Sequence, residues 1–509
     1  MCPPDTYADA TAMSQPADFD PYAITSDFIQ EPPQTLFTAL RQTGPGIILA
    51  GSIIGSGELL LTTSLGAKYG FIFLWLILFS CLIKVFVQIE LGRYSISSGK
   101  PTLAALDALP GWRLGAHWLV WWWFLMMLAT LSQLGAMVGG VGQALDLAFP
   151  QVSAQLADWA GGVSPALAQR ITDHPAHPWA ILTTLAAILL LLSGGYKRIE
   201  LLTTIMVAAV TGVTVTCVVG LPWMKVEGYD FSIHMADIEQ GFSLGVLGLS
   251  SAAIAAAFGA FGITGVGAAE LYAYPYWCLE KGYARYTGPR TDDEAWARRA
   301  RGWIRVLRLD AWMSMVVFTV ATVSFYCLGA TVLHRQELHP EGDKMIETLA
   351  QMYVPAFGSW TRVAFLIGVW AVLFKTLYVA TAGNARLGAD FLGLTRAVHY
   401  GQADSRTVWI RRFCILLPAL GLVFYLYVED PKALVIFGGF FQAATLPVIA
   451  AATLYLRYRR MDQRLAPSKF SDICLWIAFL SISAVAIYAV PHWLVHDAWP
   501  AVSSWLGLG

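Results

Sequence analysis

Eleven long apolar runs divide this chain, and they leave little room for any fold other than a bundle of membrane helices. Each run is long enough to cross a hydrocarbon layer of about 30 Å as a helix. Because the sequence is 57% hydrophobic and only 13% charged, we predict an all-α polytopic membrane protein without a separate soluble domain. The predicted spans cover residues 45–70, 71–92, 117–139, 179–194, 199–221, 245–278, 309–333, 361–383, 408–428, 433–456 and 472–494.

The first span is interrupted near its middle. Gly55, Ser56 and Gly57 break the apolar pattern, and the carboxylate Glu58 follows at once. A charged side chain inside a membrane span is costly and normally faces a protein interior or a watery cavity. Glycines at such a break weaken the helix and let backbone carbonyl groups turn toward a ligand. The pattern indicates a cation site at mid-membrane; a kinked packing helix with a satisfied Glu58 is the alternative.

The sixth span carries a second interruption of the same kind. Small residues, among them Gly262, Gly265 and Gly267, break the apolar run, and Glu270 follows directly. Two interrupted spans in corresponding places of two halves are typical of transporters built from inverted repeats, with the substrate site at the breaks. The pair therefore favours a transport site shared by Glu58 and Glu270.

The odd number of spans predicts a five-plus-five inverted repeat with one appended helix. Basic residues crowd into alternate connections, above all in residues 281–308, 386–412 and 457–469, which predicts that these connections are cytoplasmic. The N-terminus is then cytoplasmic and the C-terminus outside, in a plasma membrane of the bacterial type. The predicted segments are a mobile cytoplasmic tail (1–43), a first repeat (44–230), a second repeat (240–460), and the last helix with an external C-terminus (470–509).

Several motifs resemble, in order and spacing, those of the NRAMP family of divalent-metal transporters. They include GPG at 44–46, GGYKRIELLTTIM at 194–206 and ATAGNARLGADFLG at 380–393. The resemblance covers about residues 40–460. It implies a LeuT-type fold in which the transported ion lies between unwound helices 1 and 6, with no enzyme activity and no resident cofactor.

The departures from the family pattern concern the expected ion ligands. The family's DPGN falls on residues 55–58, so Gly55 stands where the family has an aspartate ligand. Its MPHN falls on residues 267–270, so Gly267 replaces a methionine, and a glutamate, Glu270, takes the last place. The helix-10 glutamine of the family falls on Gly439, with Gln442 one turn away.

The proton route of the family is altered as well. Its acidic pair in helix 3 falls on Gln133 and Ala136, and a helix-6 histidine falls on Tyr274. These changes are similar to the divergent magnesium-transporting branch related to NRAMP, although the missing aspartate is not typical even there. The resemblance thus implies divalent-cation transport without proton coupling by the usual route.

The remaining oxygen ligands suit a hard divalent ion. Carboxylate, carbonyl and water are the ligands of Mg²⁺ and Mn²⁺, and Mg²⁺ usually keeps several waters. We therefore predict a secondary transporter for Mg²⁺, Mn²⁺ or both, working by alternating access. The predicted metal-site residues are Glu58, Glu270, Gly55, Thr264, Gly267 and Gln442, and the candidate pathway residues are Gln133, Tyr274 and Lys375.

The sequence also allows other functions. A carrier of the same fold for a small organic substrate, such as an amino acid or amine, is the main alternative. A metal sensor lacks an output domain, and an enzyme is disfavoured because no HExxH or Walker A motif occurs. Beside the metal ion and the bilayer we expect no partner: the net charge of −1 gives no sign of nucleic acid binding, and we expect a monomer. We interpret Lys84 as a packing residue near a helix end, and His174 and His177 as solvated loop residues.

Overall fold

The computed structural model describes residues 22–223, 229–243, 250–338, 340, 345–350, 361–398 and 403–493. These residues are predominantly helical, apart from a two-residue antiparallel pairing of β1 (Arg113–Leu114) with β2 (Ala116–His117). The all-α fold predicted from the sequence is confirmed.

The helices follow one another with short connections. Together with a π-helical turn at Gly57–Thr62, they form the body of the protein. In chain order the helices are α1 (Leu36–Arg41), α2 (Pro45–Ile53), α3 (Thr63–Tyr69), α4 (Leu74–Ile83), α5 (Val85–Ser98), α6 (Thr102–Asp107), α7 (Trp118–Ala148), α8 (Pro150–Gly161), α9 (Pro165–Asp173), α10 (Ala176–Leu192), α11 (Tyr196–Gly220), α12 (Met235–Phe242), α13 (Ser251–Ile263), α14 (Ala268–Lys281), α15 (Tyr283–Thr287), α16 (Glu294–Leu328), α17 (Met345–Ala350), α18 (Thr361–Leu394), α19 (Ala403–Val428), α20 (Pro431–Arg459) and α21 (Lys469–Trp493).

Each predicted span has a counterpart among these helices. Within the described residues, eight helices are long and apolar enough to cross a membrane. The first span is broken as predicted: α2 and the Gly57–Tyr69 segment differ in direction by 43°. The sixth span is broken as well, since α13 ends at Ile263 and α14 begins at Ala268.

Two groups of contacts hold the bundle together. The long helix α7 packs against α10, α18, α19 and α20, which form one side of the molecule. The short helix α2 is surrounded by α11, α14, α16 and α18, so the first half of the broken span is enclosed by other helices. The break that follows α2 therefore lies in the protein interior.

The start of α2 is tied to α16 by a buried carboxylate. Asp310 accepts hydrogen bonds from the backbone N–H groups of Gly44 at 2.8 Å and Gly46 at 2.6 Å, and from the Tyr274 hydroxyl at 3.0 Å. A negative charge at a helix N-terminus is favourable because the first N–H groups have no partner within the helix. Pro45, which lacks an N–H, suits the first helical position.

One end of the bundle is rich in arginine, and the N-terminal segment lies against it. We call the end formed by residues 281–308, 386–398, 403–412 and 457–469 the arginine-rich end. The indole Nε1 of Trp303 donates to the carbonyl of Gln30 at 3.1 Å, and the Tyr283 hydroxyl donates to the carbonyl of Gln42 at 2.8 Å. The tail predicted over residues 1–43 thus falls into two parts. Residues 1–21 lie outside the described residues, whereas residues from 22 onward contact the helix bundle.

Candidate functional site

The two helix breaks flank a single cavity of about 60 Å³. Glu58, in the π-helical turn after the first break, and Glu270, in the first turn of α14, both lie on its wall. A buried water needs roughly 10–15 Å³ of such space, so the cavity has room for an ion with a few waters. Other lining residues include Ser52, Gln133, Trp277, Asn384 and Gln442.

Glu58 is buried, with 1% of its surface exposed, and one of its carboxylate oxygens is unsatisfied. Its Oε2 accepts the backbone N–H of Gly55 at 3.2 Å. Its Oε1 has no hydrogen-bond partner within the described part of the chain. A buried polar atom without a partner is costly, and more so when it carries charge. The unpaired oxygen is therefore a candidate ligand atom.

Glu270 is positioned by neighbours on both sides of the cavity. The hydroxyl of Ser52 in α2 donates to its Oε1 at 2.8 Å. Gly267 leaves space for the carboxylate, because a β-carbon at this position would lie 2.5 Å from Glu270 Oε2 and 2.6 Å from Gln442 Oε1. The absence of a side chain at Gly267 thus allows Glu270 and Gln442 to approach each other.

Gln442 and Gln133 form a chain of amide hydrogen bonds beside the two carboxylates. The Oε1 of Gln442 accepts the backbone N–H of Ala269 at 3.1 Å, at the N-terminus of α14. Its Nε2 donates to the Oε1 of Gln133 at 2.7 Å. The structure therefore brings four predicted site residues, Glu58, Glu270, Gln133 and Gln442, to one cavity.

The backbone carbonyl groups at the breaks are already bonded to two buried lysines. Lys375 Nζ donates to the carbonyl of Ile54 at 2.5 Å, where α2 ends. Lys84 Nζ donates to the carbonyl of Thr264 at 2.8 Å, where α13 ends. The carbonyl of Gly55 accepts the N–H of Leu59 at 2.9 Å. The carbonyl groups near Gly55 and Thr264, which the sequence predicts as ion ligands, therefore already accept hydrogen bonds from other donors.

Three residues that shape this region, Lys84, Ser52 and Asp310, were not recognised from the sequence. Lys84 was interpreted as a residue near a helix end, yet its side chain is fully buried between the α4–α5 span and the end of α13. The apolar residues on both sides of Lys84 indicate in the sequence that its side chain is buried. Ser52 and Asp310 gave no local signal. Of the predicted pathway residues, Tyr274 contacts Asp310, and neither Tyr274 nor Lys375 lines the cavity.

Layers of polar contacts separate the cavity from the arginine-rich end. The guanidinium of Arg386 lies 4.5 Å from the ring centroid of Trp277, a cavity-lining residue. Arg386 also forms a two-point ion pair with Glu280, at 2.5 and 2.9 Å. The hydroxyl of Tyr22, in the N-terminal segment, donates to Glu280 at 2.7 Å. The N-terminal segment is thus linked to the cavity-lining Trp277 through Glu280 and Arg386.

Two interrupted helices around a polar cavity, within a bundle of apolar spans, define a membrane transporter of the LeuT-type fold. A family model described as "Natural resistance-associated macrophage protein-like" matches residues 46–491, and the chain belongs to this Nramp family. The family resemblance noted in the sequence is confirmed.

Solved structures of two transporters share the fold. The Eremococcus coleocola manganese transporter, in complex with an aromatic bis-isothiourea substituted compound, is 16% identical, with a TM-score of 0.67 over 93% of each chain. Mhp1, a nucleobase-cation-symport-1 family transporter, is 12% identical, with a TM-score of 0.54 over 91% of this chain and 93% of its own. No curated protein sequence matches the chain. At these identities the structural likeness establishes the fold alone.

Proposed function

We propose that this chain is a secondary transporter that carries a hard divalent cation, Mg²⁺ or Mn²⁺, through the cavity shared by Glu58 and Glu270. The observation that carries the proposal is the buried, unpaired Oε1 of Glu58 in a cavity that also holds the Glu270 carboxylate. An ion bridging the two carboxylates satisfies this oxygen and neutralises both charges.

The ligand set supports a hard ion. The Ser52 hydroxyl bonds to Glu270, the Gln442 amide and the same carboxylate both border the space beside Gly267, and the hydroxyl and the amide each offer oxygen as a ligand atom. At position 267 the glycine supplies no thioether, the soft kind of ligand that favours transition metals, although Met137 also lines the cavity. Mg²⁺ needs only one or two carboxylates and keeps several waters, which fits a cavity with room for a few waters.

The two buried lysines cancel only part of the carboxylate charge in the cavity. Lys84 and Lys375 are directed at the C-terminal ends of α13 and α2. A helix C-terminus carries roughly half a negative charge, so part of each ammonium charge is offset there. We infer that the carboxylates of Glu58 and Glu270 remain the groups that attract a divalent ion.

We further propose that transport is not coupled to protons by the usual family route. Gln133 stands where the family's acidic pair begins, and its amide accepts a hydrogen bond from Gln442. A glutamine side chain does not titrate, so it cannot carry a proton. Uptake is then driven by the membrane potential and the ion gradient, with alternating access around a fixed site.

The orientation proposed from the sequence accompanies this function. The arginine-rich end faces the cytoplasm of a bacterial-type plasma membrane, residues 44–230 and 240–460 are the two inverted repeats, and the working unit is a monomer. The C-terminus lies outside; residues 494–509 are not among the described residues.

The test is ion flux into proteoliposomes with Mg²⁺, Mn²⁺ and Ca²⁺ supplied separately. Wild type is compared with Glu58→Gln and Glu270→Gln, which keep the side-chain shape but remove the charge. Glu239→Gln, at an exposed position of α12, is the matched control. We expect both site variants to lose most of the flux and the control to keep it.

Two results would overturn the proposal. Site variants that transport as well as wild type would place the ion elsewhere. If wild type moves none of the three ions, the alternative of a small organic substrate becomes the better explanation. A pH-sensitive dye in the same liposomes tests coupling, because acidification strictly linked to metal entry contradicts uncoupled transport.

A further inference from the structure

A second cluster of metal-ligating side chains lies where the start of α10 meets the turn between α19 and α20. The Nδ1 of His174 is 3.0 Å from Glu429 Oε2, and the Nε2 of His177 is 3.6 Å from Glu429 Oε1. One ligand atom from each residue lies within 4.8 Å of the others. We propose that His174, His177 and Glu429 form a site for a zinc-class transition-metal ion, separate from the cavity at the helix breaks.

The spacing of the ligand atoms matches a tetrahedral metal site. Zinc binds imidazole nitrogen and carboxylate oxygen at about 2.0–2.1 Å, which places tetrahedral ligand atoms roughly 3.3–3.4 Å apart. The separations of the two histidine nitrogens from the two Glu429 oxygens, 3.0 and 3.6 Å, lie on either side of that value. Because the two imidazole rings are stacked and nearly parallel, and their nitrogen lone pairs lie in the ring planes, one ring turns when both nitrogens bind the same ion.

The backbone positions the three side chains toward one another. His174 and His177 lie on either side of Pro175 and Ala176, where α10 begins, and their rings stack with centroids 4.6 Å apart and planes inclined by 3°. Glu429 has φ of 54°, a left-handed conformation that is uncommon outside glycine. Non-glycine residues in such conformations cluster at functional sites, where the surrounding structure holds them.

Hydrogen bonding by itself does not account for the cluster. His174 and Glu429 are satisfied by their own contact, as a simple ion pair would be. The Nε2 of His177, however, is buried and has no hydrogen-bond partner among the described residues. A metal ion between the three side chains takes the lone pair of this nitrogen and leaves at least one position for water.

The ligand chemistry differs from that of the central cavity. Two imidazoles and one carboxylate suit zinc, copper, nickel or iron, whereas oxygen-only sites suit magnesium and manganese. The ion would link α10 to the turn that begins α20, the helix that carries Gln442. The ion would therefore act as a structural link and belong to a different class of metal, whichever ion the cavity transports.

The test uses purified full-length protein in lipid nanodiscs, with Co²⁺ as a spectroscopic probe and Zn²⁺ as competitor, in excess Mg²⁺. Four-coordinate Co²⁺ with nitrogen ligands absorbs visible light much more strongly than six-coordinate Co²⁺ with oxygen ligands, so the spectrum separates the two sites. The variants are His174→Ala, His177→Gln and Glu429→Gln. The matched control is His234→Ala, because His234 pairs with Asp230 at 3.0 Å but has no third ligand within the described residues.

We expect wild type to show the strong spectrum at one ion per chain and to lose it when Zn²⁺ is added. Each ligand variant is expected to weaken Co²⁺ binding by at least about tenfold, since replacing a residue that only hydrogen-bonds to a metal ligand already weakens binding by that factor. The His234→Ala control is expected to bind like wild type. A wild-type protein without the strong spectrum, or ligand variants that keep it, would overturn the inference. Zn²⁺ should also raise the melting temperature of wild type more than that of His177→Gln.

Discussion

The ammonium group of Lys375 lies 2.5 Å from the carbonyl oxygen of Ile54, the residue at which the first half of the broken first span ends. Lys84 makes the corresponding contact with Thr264 at the end of α13. Each lysine belongs to one predicted repeat and caps a helix end that belongs to the other. The two breaks are therefore stabilised by long-range contacts, and no ion is needed to satisfy these carbonyl groups.

We expect Lys375→Gln to bind divalent cations more tightly. Glutamine keeps a donor for the Ile54 carbonyl but removes a positive charge near Glu58. A gain of at least about tenfold corresponds to roughly 1.4 kcal/mol, a modest electrostatic effect in a protein interior. Equilibrium Mn²⁺ binding to purified protein measures the change. Weaker binding in the variant would mean that the lysine acts by holding the helix end in place.

Ser52→Ala should weaken Mn²⁺ binding by about 10-fold. The serine hydroxyl donates to Glu270, and groups that orient a metal ligand typically contribute 10–100-fold to affinity. Ser64→Ala is the matched control, because the Ser64 hydroxyl bonds to the carbonyl of Leu60 on the same span. Equal losses in both variants would point to a general effect on the helix.

Gly267→Ala is expected to abolish flux while the protein still folds. The backbone at Gly267 suits any residue, but the new methyl group would lie 2.5 Å from Glu270 Oε2 and displace the carboxylate. Gly212→Ala is the control, because no atom lies within 4 Å of a β-carbon at that position in α11. Size-exclusion profiles check folding, and proteoliposome flux checks function. Unchanged flux in Gly267→Ala would show that this carboxylate position is not needed.

Tyr22 is predicted to stabilise closure at the arginine-rich end. Tyr22→Phe removes the hydroxyl that donates to Glu280. Tyr22→Ala also removes the ring, which lies 3.6 Å from the Arg406 guanidinium and meets the Tyr276 ring edge to face at 6.1 Å. A buried hydrogen bond contributes about 0.5–1.5 kcal/mol. The equilibrium constant for opening of the arginine-rich end should therefore rise several-fold in Tyr22→Phe and further in Tyr22→Ala. Initial flux rates measure the effect.

The control for this prediction lies in the same N-terminal segment. Leu36→Ala changes a side chain that is 67% exposed, and it should transport like wild type. Slower flux in both Tyr22 variants would indicate that the contact supports the open state instead.

The stability of the arginine-rich end should fall at low pH because of Asp462. Hydrogen bonds from Arg464, followed by the charge of Arg290 at 2.9 Å, lower the pKa of Asp462 to about 2. Since an unfolded aspartate has a pKa of about 3.9, the stabilisation is complete above that pH and is lost as the pH falls toward 2. Thermal unfolding of the nanodisc protein between these values should show a loss of about 1–2 kcal/mol.

Asp462→Asn tests the origin of this pH dependence. The variant should be less stable than wild type at neutral pH and should lose less stability on acidification. Asp158→Asn, at an exposed position of α8, should follow wild type. A variant with the full wild-type pH response would assign the effect to other carboxylates.

The broken spans were predictable because their signals are local. Glycines beside a carboxylate in an apolar run indicate a break wherever the run lies, and both breaks are present in the structure at Gly55–Glu58 and before Glu270. The hydrogen-bond donors to the backbone carbonyl groups at the breaks were not predictable. It depends on Lys84 and Lys375, whose partners are distant in sequence and whose own neighbours are simply apolar.

By itself the sequence determined the helical class, the order of the membrane spans and the places where two of them break, because hydrophobicity and backbone flexibility are properties of neighbouring residues. Only the tertiary structure decided that lysines cap the breaks, that Gln442 pairs with Gln133, and that Glu429 meets His174 and His177. Such contacts join residues far apart in the chain, and they exist only once packing of the apolar helices has brought those residues together.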